Sequence, residues 1–336
     1  MYIEAAAGYL GVSVVLYAVF GGADFGAGML EAFLGAHRRA EQRDVITQAM
    51  GPVWEANHIW LIIALVVLFN GFPRAFSTLS VAFHLPLIVM LLGIVLRGCS
   101  FTFRHYDTHK DQSHAVYSAL FAAASFLTPF MLGVVAGGMM LGRVGAGGGY
   151  LERYVLPWAS AFSAAVGLFV CALFAFLAAV YLVGETEDAQ LRRRFAGRAK
   201  VANGLSVGAG GLVFLAAQAD GFPLVQRFLA HPASLACMVL ATAALAPLWA
   251  ALSKGRTSTA RVLAASQVAL VLGGWFALQY PVLIAASEPI TLASAAAPDA
   301  VLRPLLYALI AGTVLVLPVL VFLLRVFKMR TPGHDG

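Results

Sequence analysis

The segment Gly51-Pro-Val-Trp-Glu-Ala-Asn-His-Ile-Trp60 packs a carboxylate, an amide, an imidazole and two indoles into three helical turns, and residues 61–69 that follow are pure hydrocarbon. A charged group at mid-membrane costs about 3 kcal/mol on insertion scales, so such residues mark proton relays, ion paths or structural pairs. Glu55 and His58 stand three residues apart and share one helix face. Two further charges interrupt apolar runs. Asp24 lies between Gly21-Gly22 and Gly26-x-Gly28, and Arg97 lies in Leu92-Gly-Ile-Val-Leu-Arg-Gly98.

The elements that position these groups are membrane helices. The chain has 336 residues, 61% apolar and only 11% charged, where a soluble domain carries about 25% charged residues. Runs long enough to cross a core of about 30 Å fall at residues 8–34, 51–70, 77–98, 115–140, 158–183, 201–219, 234–252, 261–286 and 303–327. The expectation is an all-α integral membrane protein of nine spans, with residues 1–336 forming a single polytopic domain. The start lacks the basic segment of a cleaved signal peptide, so the first span is expected to remain.

Charge and cysteine usage narrow the function. Seventeen of the 22 Lys and Arg residues fall in alternate connections and the C-terminal tail. That asymmetry predicts an outside N-terminus and a cytoplasmic C-terminus. It also explains the basic pI of about 9.4 without nucleic acid. Cys99, Cys171 and Cys237 are far apart and form no CxxC pair, which argues against a disulfide framework or a metal site. Nucleophilic triads and dinucleotide fingerprints are absent, so no catalytic residue is assigned to this chain alone.

With that orientation the embedded polar groups form a ladder. Arg97 is expected at the cytoplasmic edge of the third span, Glu55 about 6 Å deep, His58 about 10 Å and Asp24 about 15 Å. A carboxylate desolvated in lipid exchanges protons nearer neutral pH, so the ladder reads as a proton-uptake path. It reads equally as a stitch, in which Arg97 pairs with Glu55 and a hydrogen-bonded Asp24 ties the first three spans together. The glycines around Asp24 read as close helix packing. His58 reads as a packing residue before a ligand. His84, on the third span, is expected about 10 Å below the opposite face, leaving about 10 Å between the two histidines along the normal. Two axial ligands of one haem must be nearly level. A five-coordinate haem on either histidine stays open.

Several motifs together resemble subunit II of cytochrome bd quinol oxidases: Gly22-Ala-Asp-Phe-Gly-Ala-Gly-Met29, Gly51-Pro-Val-Trp-Glu-Ala-Asn-His-Ile-Trp-Leu61, Leu92-Gly-Ile-Val-Leu-Arg-Gly98 and Phe101-x-Phe-Arg104. Gln279-Tyr-Pro281 and Ile290-Thr-Leu292 also fit that family's eighth helix and the loop after it. The resemblance covers essentially the whole chain, and the carboxylate-bearing variants point toward the cyanide-insensitive branch.

The resemblance implies two four-helix bundles plus one peripheral helix, in the bacterial inner (plasma) membrane. It implies a complex that oxidises quinol at the outer face and reduces oxygen to water with cytoplasmic protons, electrogenic but not pumping. Subunit I is the implied partner, carrying the b and d haems, with small single-helix accessory subunits. This chain would bind no haem, and some members hold a structural quinone. The implied proton route falls on Asp24, Glu55 and Arg97, with His58 beside it; Trp60 falls on an oxygen-access route, near Trp54 and Asn57. The connection at residues 220–233 is too short for a quinol-oxidising loop. A proton-coupled secondary transporter is the alternative. Transporters usually show paired broken helices in corresponding halves, whereas the polar motifs here crowd into spans one to three.

Overall fold

In lipid, a long apolar segment must satisfy every backbone N–H and C=O internally, which leaves the helix as its only stable form outside a closed barrel. The computed structural model describes residues 1–33, 38–50, 54–106, 113–145 and 147–329, whose regular elements are helical apart from one short hairpin. The first span comprises α1 (Tyr2–Leu16), a π-helical turn (Tyr17–Gly21) and α2 (Gly22–Ala32). It is followed by α3 (Arg39–Met50), α4 (Trp54–Gly71), α5 (Pro73–Ala82), α6 (His84–Tyr106) and α7 (Ser113–Gly138). The short α8 (Tyr150–Tyr154) precedes α9 (Ala161–Val183), α10 (Ala189–Ala219), the short α11 (Leu224–Ala230), α12 (Pro232–Ala243), α13 (Leu245–Ser253) and α14 (Thr257–Gln279). Strands β1 (Val282–Ile284) and β2 (Ile290–Thr291) pair antiparallel before α15 (Leu292–Ala295) and α16 (Asp299–Met329). Among the described residues, eight helices are long and apolar enough to cross a membrane, or nine if the bent pair α4–α5 counts as one span.

Several boundaries differ from the hydropathy reading, each for a local reason. The expected span at 77–98 merges two elements. Pro73 starts α5, which turns away from α4 by 113°, and the crossing helix begins only at His84. His84 therefore heads its helix instead of lying several residues in. At the other end α6 continues past Gly98 to Tyr106, because polar residues end an apolar run without breaking a helix. The sixth span begins at Ala189, where the Asp188 carboxylate accepts from the N–H groups of Gln190 and Leu191 at 2.7 and 3.0 Å. The eighth ends at Gln279, ahead of Pro281, and the hairpin takes the residues up to Thr291.

Close packing centres on α9, the most buried of the spans. It touches α2, α7, α10 and α14, and its Phe174, Phe176, Ala178, Ala179 and Val180 are all buried in the main apolar core. The glycines of α2 make this contact possible. A Cβ on Gly26 would lie 1.9 Å from the carbonyl oxygen of Phe174, and one on Gly22 would lie 2.6 Å from that residue's ring. The expectation of packing glycines around Asp24 holds here. A second core joins α1, α4, α5, the hairpin and α16. Of the spans, α16 is the least buried.

A third feature was not legible in the hydropathy pattern. Asn203 and Gln267, both buried, form a hydrogen-bonded trio with the more exposed Trp249, linking α10, α14 and α13. The polar groups therefore do not crowd into the first three spans alone.

Candidate functional site

Asp24 is fully buried in the first turn of α2. The preceding π turn, in which the Gly22 N–H reaches back to the Tyr17 carbonyl, fixes where this side chain points. Arg97 approaches from α6 with its side chain only 4% exposed. Its Nη1 donates to Asp24 Oδ2 at 2.7 Å, and its Nη2 donates to Oδ1 at 2.6 Å and to the Asp24 carbonyl at 3.2 Å. The remaining donor, Nε, reaches Ser125 Oγ on α7 at 3.2 Å. The Phe25 and Phe121 rings lie 4.7 and 5.0 Å from the guanidinium carbon. This is a two-pronged fork of charge-assisted bonds in a setting closed to water.

The levels of the two residues explain the match. Asp24 is eight residues from the end of α2 and Arg97 nine from the end of α6, so both sit about 12 Å inside their helices. Arg97, expected at the end of its span, thus lies nine residues inside its helix. Both terminal nitrogens of Arg97 are engaged by Asp24, while the expected pairing of Arg97 with Glu55 falls on a side chain outside those described. The Gly51-Pro-Val53 break lies outside the described residues. Trp54, Glu55 and Asn57 belong to the backbone of α4's first turn, and their side chains are outside what is described.

His58 is half-buried, edge-on to Phe25 with ring centroids 6.5 Å apart, and lies within reach of the charges of Asp24 and Arg97. Tyr17, buried in the π turn, senses the same two charges. Trp60 packs, half-buried, against the main core. Asp24, Arg97 and His58 thus do come together, with Trp60 on the same helix as His58.

Two polar residues of this region escaped the hydropathy reading. Ser125 carries no charge and looks like any small residue of α7. Glu31 sits at the end of α2, 3% exposed, with Oε1 2.8 Å from Arg43 Nε of α3. The signal that could have found it is spacing: Asp24, Gly28 and Glu31 follow the i, i+4, i+7 pattern of one helix face.

The fork can serve as permanent structural bonding, or as a relay where a neighbouring acid lies within exchange distance.

The described residues contain no group of three or more His, Cys, Asp or Glu able to hold a metal ion. The two embedded histidines sit in different settings. His84 Nδ1 lies 2.9 Å from the Val81 carbonyl and its ring packs edge-on to Tyr154. His58 lies thirteen residues before the end of α4, and the whole of α5 separates that end from His84.

Comparison with known proteins adds three findings. The family model described as cytochrome bd terminal oxidase subunit II matches residues 3–327. The chain is 35% identical over 114 residues to cytochrome bd ubiquinol oxidase subunit 2 of Bacillus subtilis, covering 34% of this chain and 33% of that one. It is 29% identical over 133 residues to cytochrome bd-I ubiquinol oxidase subunit 2 of Escherichia coli, covering 40% and 34%. The matched segments thus span about a third of each relative's length. The backbone superposes on a chain of the bd oxidase from Geobacillus thermodenitrificans with a TM-score of 0.79, covering 98% of this chain and 99% of that one at 18% identity. At that identity the likeness is one of fold.

Proposed function

From the premise that this chain belongs to the cytochrome bd terminal oxidase subunit II family, we propose that it is the haem-free subunit of a quinol oxidase that reduces oxygen to water. Its partner is a haem-carrying subunit I, which holds the b and d haems and oxidises quinol. This chain stabilises that subunit and supplies a proton route from the cytoplasm, so turnover is electrogenic without pumping. The single observation that carries the reading is the buried Asp24–Arg97 fork inside a chain matched to the family over residues 3–327.

The remaining assignments follow the same reading. Residues 1–336 form one membrane domain of two four-helix bundles with α16 peripheral, the N-terminus outside and the C-terminus in the cytoplasm of a bacterial inner membrane. Asp24, Glu55 and Arg97 form the route and His58 borders it. Trp54, Asn57 and Trp60 line the interface where oxygen enters. A structural quinone and small single-helix subunits complete the complex. A proton-coupled transporter gains one point from the break between α12 and α13, which gives the second half a broken helix. Family membership outweighs it.

The test is purification through a tag on this chain. The reading expects a stoichiometric haem-bearing partner, quinol-dependent oxygen consumption, and no haem absorbance from this chain isolated alone. Asp24→Asn and Glu55→Gln should each slow turnover while haem content stays. Recovery of the chain without a haem partner, or unchanged turnover in both variants, would refute it.

A further inference from the structure

A buried carboxylate stands apart from the residues just assigned. Glu31 is 3% exposed at the end of α2, seven residues beyond Asp24 on the same face. Carboxylates are almost never buried unless something uses or pairs them. Its visible partner is Arg43 of α3, whose own side chain is 35% exposed. The Arg43 nitrogen sits at 2.8 Å from the carboxylate but is not aligned as a hydrogen bond. Arg43 thus ties Glu31 to the aqueous edge.

The space between Glu31 and Asp24 is polar as well. Gly28 lies between them on the helix face, and a Cβ there would come within 2.1 Å of Ser125 Oγ. The Ser125 hydroxyl therefore sits at the height of Gly28, between the two acids, and it already accepts from Arg97 Nε. Side chains on a helix lean toward its N-terminus, which directs Glu31 back toward Asp24. The two backbone positions are about 10 Å apart along the axis, a span that two carboxyl side chains and one hydroxyl largely fill.

We propose that Glu31 is a further proton-carrying residue, the entry acid that feeds the Asp24–Arg97 pair through Ser125. This inference rests on the proton route proposed above. A proton from water beside Arg43 binds a Glu31 carboxylate oxygen. Ser125 Oγ accepts that proton and releases its own to Asp24, returning Glu31 to carboxylate. Asp24 then passes one proton onward to the site of oxygen reduction, so one proton enters and one leaves per cycle.

The experiment uses the whole purified complex. Glu31→Gln should cut steady-state oxygen consumption by about tenfold or more, with unchanged haem spectrum and yield, and Glu31→Asp should recover most of the rate. The solvent deuterium isotope effect on turnover should rise in Glu31→Gln. Wild-type turnover and isotope effect in an assembled Glu31→Gln complex overturn the proposal. Asp24→Asn separates the two levels: slow Asp24→Asn beside normal Glu31→Gln rejects Glu31 alone, and normal rates in both reject the route itself. Should Glu31→Gln fail to assemble, Ser125→Ala carries the test, since it removes the hydroxyl and leaves Arg97 on Asp24. A slowed rate with a raised isotope effect supports the relay, and a wild-type rate overturns it.

Discussion

Arg97 of α6 grips both carboxylate oxygens of Asp24 at 2.6 and 2.7 Å, with neither side chain more than 4% exposed. Removing one partner of such a pair leaves an uncompensated charge in the interior, at a cost of about 3 kcal/mol or more. Arg97→Met is therefore expected to lower both the yield and the melting temperature of the complex. Adding Asp24→Asn to it removes the orphaned charge and should restore most of that stability. If Asp24 carries protons, the double variant stays slow although it assembles. A double variant that is stable and fully active would show the pair to be structural only.

Gly26 is expected to be intolerant of even one methyl group. A Cβ there would overlap the Phe174 carbonyl at 1.9 Å and the Ala178 methyl at 2.8 Å. Backbone atoms cannot swing aside as a side-chain end does, so Gly26→Ala must push α2 away from α9. Overpacking of this kind costs about 1–3 kcal/mol, and the shift would also move Asp24 off Arg97. Gly197→Ala, on α10 with open space around its Cβ position, is the control. Melting temperature and turnover should fall together in the first and stay unchanged in the second.

Stability at acid pH should depend on Asp188. Its carboxylate accepts from Arg38 at 2.7 Å as well as from the N–H groups that cap α10. Chiefly through Arg38, these contacts hold its pKa at about 2, below the ordinary 3.8. A carboxylate depressed in the folded state stabilises fully above its unfolded value, and that contribution is lost as pH falls toward the folded one. The loss is thus expected between about pH 4 and pH 2. The site is solvent-exposed, so the effect should be modest. Proteolytic accessibility of the segment before α10, followed against pH, should rise over that window in the wild type. In Asp188→Asn it should be raised already at neutral pH and change less with acid.

How much of this could be read from the chain alone depends on what each feature leaves in the residue pattern. Membrane helices were legible because an apolar run of span length in lipid has few other options. Asp24 and Arg97 were legible because a charge inside such a run is conspicuous. Their pairing was not, since hydropathy ends a span where polarity begins, while α6 runs on to Tyr106. The same error merged α5 with α6: the break at Phe83, between Ala82 and His84, leaves no mark on mean hydropathy. Glu31 was hidden for the opposite reason. It lies near a span end, where an acid looks solvated, and only the packing of α3 over it shows otherwise. Amides are harder still, because Asn203 and Gln267 alter neither charge count nor hydropathy enough to stand out.

That last pair carries a prediction of its own. Pro247 has no N–H for the Ala243 carbonyl, and the seventh span breaks at Ala244 into α12 and α13. Gln267 of α14 donates from Nε2 to the Ala241 carbonyl at 3.0 Å, one turn before the break. Its Oε1 accepts from Asn203 Nδ2 at 3.1 Å, and Asn203 Oδ1 accepts from Trp249 Nε1 at 2.8 Å. The chain of bonds thus clamps both halves of the broken helix to α10 and α14. Gln267→Leu would strand the Asn203 amide and the Ala241 carbonyl in the interior, at about 1–3 kcal/mol for each group left unpaired. The expected outcome is a lower melting temperature of the purified complex with turnover per haem unchanged, since the trio touches none of the carboxylates assigned to proton transfer. Trp249→Phe, which removes one donor and keeps the ring, should show a smaller drop. A normal melting temperature with collapsed turnover would instead place these amides on a second polar path through the other half of the molecule.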